Sequence, residues 1–223
     1  MNVSEAVNNR MSVRAFTDQP VSAELIQKTF ELAARAPSGG NVQPWKIVIL
    51  SESKLIEFKS LMERRLSGET HPGGEIPEYQ VYPPKLKEPY RSARFEVGED
   101  MYTLLGIDRD NKPGRLEWLA NNFRFFGAPA AAFCFVDRVM GPPQWSDLGM
   151  YLQTAMLLFQ ERGIDTCAQE IWSQYPKTIN EFCEMPDELM LFCGIAIGYR
   201  DHDHSVNKLR SNRLQTSEWL KVL

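Results

Sequence analysis

The spacing of apolar residues along the chain predicts helices that alternate with short buried strands. Apolar residues recur at helical spacing over residues 4–9, 21–36, 52–66, 91–106, 114–125 and 145–162, and a further helix, on the surface, is expected over 176–185. Apolar runs typical of buried strands cover residues 46–50, 127–136, 166–171 and 189–199. Strands separated by helices favour an α/β or α+β sheet with helices on its faces.

Residues 68–113 interrupt this pattern. The stretch from Gly68 to Pro89 contains five prolines and three glycines, which is typical of a long loop. The whole chain of 223 residues suits one domain with a sizeable core. We therefore expect a single domain over residues 1–223 that carries a lid or insertion at about 68–113.

The charge balance narrows the classes of partner. The chain has 25 basic and 29 acidic side chains without long runs of one sign, so neither nucleic acid nor a membrane surface is expected as a partner. The sequence shows no signal peptide and no apolar run of spanning length. The four cysteines form no CxxC motif. These features indicate a cytoplasmic protein whose partners are small molecules or other copies of itself.

A loop rich in small and amide side chains joins the second predicted helix to the first strand. It reads PSGGNVQPW, from Pro37 to Trp45. Its glycines and amides are consistent with a plain turn, and they also suit close approach to a ligand. The loop matches neither the GxGxxG nor the GxxxxGK[ST] phosphate motif.

Two basic clusters lie near opposite ends of the chain. In RMSVR, an extended backbone places Arg10, Ser12 and Arg14 on one side, which suits an anion, although a solvated turn with arginines paired to Glu5 or Asp18 is the alternative. The second cluster comprises Asn207, Lys208, Arg210 and Arg213. By itself such a cluster is more often only a polar surface than a phosphate site. Together the two clusters suit a ligand with a phosphate at one end.

Five motifs make the chain resemble the FMN-dependent nitroreductase family, and the separate segment YPPKLKEPYRSARFEVGEDMYTLLGIDRDN is similar to the branch that includes nitrobenzoate reductases. The five motifs are RMSVRAF, APSGGNVQPW, FFGAPAAAFCF, WSDLGMYLQTAMLLFQERGIDTCAQ and GIAIGYRDHDHSVNKLRSNR. They span the chain apart from residues 51–120. The resemblance implies an α+β, nitroreductase-like fold with a central, mostly antiparallel sheet flanked by helices, in an intertwined homodimer with FMN at the subunit interface.

The resemblance also implies the residues that bind the cofactor. Arg10, Met11 and Ser12 would lie at the FMN phosphate and ribityl chain, and Arg210 and Arg213 would close on the same phosphate. Arg14 would face the N1 and O2 edge of the isoalloxazine. The loop that reaches the flavin of the partner subunit contributes Pro37, Ser38, Gly39 and Asn41. The backbone groups that face flavin N5 belong to Gln169, Glu170 and Ile171. No side-chain contact from the middle of the chain is assigned.

The activity implied by the resemblance is electron transfer through FMN. NADH or NADPH would reduce FMN by hydride transfer to N5, and a nitroaromatic or quinone-like acceptor would then take its place, in a ping-pong cycle without a catalytic side chain. Two alternatives stay open. One is other flavin chemistry, such as reductive dehalogenation or flavin breakdown, and the other is a flavin-binding module without turnover.

The remaining polar and aromatic candidates have both functional and structural interpretations. Lys85, Lys87, Arg91 and Arg94 suit an acceptor carboxylate or merely solvate the lid. His202 and His204 lack a third spaced ligand, so no metal site is expected. Asp147 is expected in the first turn of its helix, where it complements the dipole. A stacking wall over the flavin could be built from aromatic residues, of which the phenylalanines equally suit the core: Tyr79, Tyr82, Tyr90, Phe123, Phe125 and Phe126.

Overall fold

An antiparallel sheet forms the centre of the molecule. The computed structural model describes residues 1–67 and 74–223. Within them the strands are β1 Lys46–Ser51, β2 Ala130–Asp137, β3 Asp165–Gln169 and β4 Leu189–Gly198. They form one sheet in the order β1-β2-β4-β3, and every neighbouring pair is antiparallel. The α+β class and the mostly antiparallel sheet predicted from the sequence are confirmed.

Helices cover the sheet. In chain order they are α1 Val3–Asn9, α2 Ala23–Ala33, α3 Glu52–Ser67, α4 Tyr90–Leu104, α5 Lys112–Ala120, α6 Pro142–Glu161, α7 Pro176–Phe182 and α8 Thr216–Trp219. Short 3-10 turns lie at Gly39–Asn41, Asn121–Gly127, Glu170–Gln174 and Ser205–Lys208. Ser22 caps α2 by accepting a hydrogen bond from the Leu25 N–H, as its position before the helix predicts.

Alternation along β2 divides the core into two layers. Ala132 and Cys134 pack with α2 and α6 on one face of the sheet. Phe133 and Phe135 pack on the other face, against Phe58 of α3 and Trp172. Successive strand residues point to opposite faces, so a nearly continuous apolar strand supplies both layers.

Several predicted elements differ from the observed ones. The helix expected over 114–125 ends at Ala120 and continues as a 3-10 turn, in which Phe125 and Phe126 have φ of 51° and 53°. The helix expected on the surface over 176–185 is α7, whose Ile179 is fully buried. The mostly polar sequence of α7 gave no indication that one face of this helix packs against β4.

The region predicted as a lid is only partly described. Residues 68–73 of the expected 68–113 segment lie outside the described residues. Residues 74–89 contain no helix or strand, and α4 and α5 follow them. In the described part of the chain, no helix has both the length and the apolar character needed to cross a membrane.

Candidate functional site

The N-terminal cluster lies along the free edge of β3. Ser12 forms a parallel bridge with Thr166, and the Val13 N–H donates to the Thr166 carbonyl oxygen at 3.1 Å. This extended backbone buries Met11 and Val13, and it leaves Arg10, Ser12 and Arg14 half-buried on the opposite side. The alternation predicted from RMSVR is therefore observed. Ion pairs of these arginines with Glu5 or Asp18 do not occur among the described residues; Glu5 instead accepts a hydrogen bond from the Asn2 N–H.

Asn207 joins the two ends of the chain. Its Oδ1 accepts a hydrogen bond from the Arg14 N–H at 3.0 Å, and its Nδ2 donates to the carbonyl oxygens of Ala15 and Asp201, each at 2.8 Å. The side chain is buried, so these bonds are shielded from water. Arg210 adds a second link, because its Nη2 donates to the Asn8 carbonyl oxygen at 2.9 Å.

These links bring both basic clusters to one cavity of about 540 Å³. Its lining includes six of the predicted cofactor-binding residues: Arg10, Met11, Ser12, Arg14, Arg210 and Arg213. Burial lowers the pKa of Arg10, and the positive charges of Arg213 and Arg210 lower it further. No carboxylate is among the described residues that line this cavity, so three guanidiniums that repel one another form a site for an anion with more than one negative charge. The donor set thus fits a phosphate monoester such as that of FMN.

A second cavity, of about 450 Å³, shares the lining residue Arg14 with the first. Asn121 and Arg124 of the turn before β2 line it, together with Lys59 of α3. Burial lowers the pKa of Lys59, whose ammonium group donates to the Ala128 carbonyl oxygen at 2.8 Å. No residue from the middle of the chain was predicted from the sequence to contact the cofactor, and Asn121 and Arg124 are candidates because they line this cavity. The sequence feature that could have identified them is the pair of polar residues in the turn just before the buried strand β2.

The predicted N5-facing segment begins where β3 ends. The Gln169 side chain is buried, and its Nε2 donates to the Asn122 carbonyl oxygen at 2.8 Å. That side chain is engaged within the protein, and the predicted role of the Gln169 peptide group at the flavin stays a prediction. Glu170 and Ile171 follow in the 3-10 turn. Desolvation raises the pKa of the Glu170 carboxyl group.

The small-residue loop lies apart from both cavities. Pro37, Ser38, Gly39 and Asn41 do not line either of them, and Gly39 to Gln43 are exposed. The Gly39 N–H donates to the carboxylate oxygens of Asp147 at 3.2 and 3.3 Å. Asp147 was expected in the first turn of its helix, but α6 begins at Pro142 and Asp147 is buried in the second turn. The dipole interpretation of Asp147 is therefore wrong.

The other sequence candidates divide between surface and core. Lys85, Lys87, Arg91 and Arg94 are exposed, with the Arg94 guanidinium 4.0 Å from the centre of the Tyr82 ring. Phe123, Phe125 and Phe126 are buried core residues. The described residues hold no group of three metal-ligating side chains, and His204 Nδ1 accepts from the Val206 N–H instead.

Known proteins with similar sequences and structures share one family. Residues 7–199 match the model of the nitroreductase family. A 4-nitrobenzoate reductase of Pseudomonas putida is 33% identical over 207 residues, which cover 93% of this chain and 89% of that protein.

Two solved structures agree with this assignment. The FMN and NADPH-dependent nitroreductase NfnB from Sphigopyxis sp. strain HMH superposes with a TM-score of 0.95 at 42% identity, covering 100% of this chain and 99% of that one. The FMN-dependent NfnB of Mycobacterium smegmatis, solved with NADPH, gives a TM-score of 0.90 at 27% identity over the whole of both chains. Because a family model matches most of the chain, and because the fold and the basic cavity beside β3 agree with it, the chain belongs to the nitroreductase family.

Proposed function

We propose that the protein is an FMN-dependent oxidoreductase that passes electrons from NAD(P)H by hydride transfer to a nitroaromatic or quinone-like acceptor. The observation that carries this proposal is the cavity in which Arg10, Arg210 and Arg213 converge. Relatives named as nitroreductases, including the P. putida 4-nitrobenzoate reductase, support the acceptor class.

The phosphate of FMN is the group that this cavity suits. Arg10 lies on the N-terminal strand segment, whereas Arg210 and Arg213 follow the 3-10 turn Ser205–Lys208. A phosphate between them replaces mutual repulsion with charge-assisted hydrogen bonds, and the Ser12 hydroxyl adds a neutral donor for the phosphate or the ribityl chain.

The polar edge of the isoalloxazine is assigned to the second cavity. Bound FMN supplies the exchange of a hydride with NAD(P)H and the delivery of electrons to the acceptor. Arg14 lines both cavities, so its fixed positive charge would stabilise negative charge on the N1 and O2 edge of a flavin held there. Asn121 and Arg124 provide further hydrogen-bond donors on that side.

A homodimer completes the site in this proposal. The loop residues Pro37, Ser38, Gly39 and Asn41 would reach the flavin of the partner subunit, which would account for the exposure of Pro37, Gly39 and Asn41 within one chain. Exposed apolar side chains accompany them, among them Val42 at 44% and Leu32 at 47% exposure. A second copy that covers these side chains would remove them from water.

A reducing cytoplasm is the proposed location. All four cysteines are free in the structure. Burial raises the pKa of the Cys193 thiol to about 12, so this thiol stays protonated and unreactive at neutral pH.

The absorbance spectrum of the purified protein tests the proposal, followed by anaerobic titration with NADH and NADPH. Flavin bands that bleach with either donor and recover on addition of nitrobenzene are expected. Arg10→Ala should lower FMN retention, whereas Arg64→Ala, which changes an exposed arginine of α3, should not. A colourless protein that FMN cannot reconstitute overturns the cofactor assignment.

Two other results identify the alternative functions. Bleaching by NAD(P)H with reoxidation by a halophenol or by O₂, but not by nitroaromatics, indicates other flavin chemistry. A yellow protein that neither donor bleaches is a flavin-binding module without turnover.

A further inference from the structure

Two residues one turn apart on α6 hold the two ends of the loop from Pro37 to Trp45. The Asp147 carboxylate accepts the Gly39 N–H near the start of the loop. The Tyr151 ring stacks on Trp45 at its end, with ring centroids 4.7 Å apart and planes inclined by 11°. Positions 147 and 151 are four residues apart and therefore lie on one face of the helix.

Between these two contacts the backbone adopts an unfavourable conformation. Asn41 and Gln43 have φ of 58° and 50°, a region that side chains other than glycine rarely adopt, and Gly40 has φ of 56°. The Gln43 N–H donates to Ser38 Oγ at 3.0 Å inside the loop. Backbone strain of this kind persists only where surrounding contacts fix it. The contacts from α6 supply that constraint.

Packing alone does not account for a carboxylate at position 147. Asp147 is 4% exposed, next to the fully buried Leu148. Burial of an ionised carboxylate costs stability unless hydrogen bonds compensate, and an apolar side chain would fill the same face without that cost. The Asp147 carboxylate is compensated by the hydrogen bond that it accepts from the Gly39 N–H.

We propose that Asp147 is a positioning residue for flavin binding. By holding the Gly39 N–H, it fixes the backbone of the loop whose Ser38 and Asn41 meet the partner subunit's flavin. This inference rests on the proposed function, and it adds a residue that does not itself touch the cofactor.

Three substitutions of Asp147 and one neighbouring control test the role. Asp147→Ala removes the acceptor, Asp147→Asn keeps an oxygen in place without the charge, and Asp147→Glu keeps the charge but displaces the oxygens by one methylene. Ser146→Ala changes the adjacent exposed residue, whose hydroxyl bonds within the helix to the Pro142 carbonyl oxygen. The FMN dissociation constant of each apoprotein is measured by flavin fluorescence, together with the visible circular dichroism of bound FMN.

The expected pattern separates positioning from general stability. Asp147→Ala and Asp147→Glu should raise the FMN dissociation constant about tenfold and alter the visible dichroism, in keeping with the loss of one charge-assisted hydrogen bond. Asp147→Asn should stay within about threefold of wild type, because the amide oxygen still accepts the Gly39 N–H. Ser146→Ala should match wild type. If Asp147→Ala does not fold, the difference in FMN dissociation constant between Asp147→Glu and Asp147→Asn tests the positioning role.

Wild-type affinity and dichroism in the folded Asp147→Ala or Asp147→Glu protein overturn the inference while leaving the proposed function intact. An Asn variant as weak as the Glu variant also overturns it, because rescue by the retained acceptor is then absent. A wild-type protein that does not bind FMN overturns the proposed function and this inference together.

Discussion

The Arg14 N–H donates to Asn207 Oδ1 at 3.0 Å across a sequence separation of 193 residues. With the two bonds from Asn207 Nδ2 to Ala15 and Asp201, one buried amide fixes the N-terminal strand segment to the segment that carries Arg210 and Arg213. The geometry of the basic cavity therefore depends on a side chain that need not touch the anion.

Replacement of Asn207 should destabilise the protein and weaken cofactor binding together. Asn207→Ala removes three hydrogen bonds and leaves the backbone groups of Arg14 and Ala15 without these partners, which should lower the free energy of unfolding by about 2–4 kcal/mol. FMN affinity should fall because the two basic clusters separate. Urea unfolding and an FMN titration measure the two effects.

Asn212→Ala is the matched control, since Asn212 is exposed in the same segment. Its unfolding free energy should stay within about 0.5 kcal/mol of wild type. Equal stability of the Asn207 and Asn212 variants would contradict the role of the buried amide.

The ion pair of Asp165 and Arg200 should matter more to stability than exposed pairs do. Arg200 Nη2 and Nε donate to the two carboxylate oxygens at 2.6 and 3.2 Å, and the side chains are 17% and 8% exposed for Arg200 and Asp165. Arg200→Ala leaves a buried carboxylate without its cation, so a loss of about 3 kcal/mol is expected from urea unfolding.

Lys28→Ala provides the comparison. It breaks the pair with Glu24, whose side chains are 65% and 73% exposed for Lys28 and Glu24, and should cost less than about 1 kcal/mol. A similar loss in both variants would mean that burial does not strengthen the Arg200 pair.

Glu170 should make the stability of the protein depend on pH. Its pKa in the folded state lies above the ordinary value of 4.5 because desolvation disfavours the carboxylate. The folded state therefore binds more protons than the unfolded state between 4.5 and the raised pKa, and stability falls as pH rises through that window. Relative to wild type, Glu170→Gln should gain stability between pH 4 and pH 7, as measured by urea unfolding.

Glu88→Gln should behave in the opposite way. Hydrogen bonds from Ser92 and Arg91 lower the pKa of Glu88, so its carboxylate contributes stability that is present above 4.5 and lost as pH falls. Differences of the same sign in both variants would contradict the assignment of desolvation to Glu170.

The basic residues of the segment before and within α4 should distinguish acceptors that carry a carboxylate. We expect alanine substitution of Lys85, Lys87, Arg91 or Arg94 to raise KM for 4-nitrobenzoate more than KM for nitrobenzene. Because these side chains are exposed, the difference should be about two- to fivefold. Steady-state kinetics with both acceptors measure it.

Arg64→Ala, an exposed arginine on α3, serves as the control and should leave the ratio of the two KM values unchanged. Equal changes in both KM values for every variant would end the carboxylate hypothesis. Two of the four have a partner in the structure, because Arg94 lies over the Tyr82 ring and Arg91 pairs with Glu88.

Local sequence patterns predicted the helices and strands, whereas the geometry of the candidate site depends on contacts between residues far apart in sequence. Alternation in RMSVR was enough to place Arg10 and Ser12 on one side of a strand, since strand geometry has a period of two. The bond between Asp147 and Gly39 joins residues 108 positions apart, and no period encodes such a pair. The shift of the α6 start to Pro142 also arises locally, because proline is well suited to the first helical position.

The bridge of Ser12 to Thr166 at the edge of β3 has a consequence for biosynthesis. The basic cavity needs this bridge and the hydrogen bond from Arg210 to Asn8, which spans 202 residues. Synthesis proceeds from the N-terminus, so the cavity cannot form until the segment that carries Arg210 has been synthesised. The set of arginines proposed to hold the FMN phosphate is therefore complete only late in synthesis, because Arg210 and Arg213 are two of the four arginines that line the cavity.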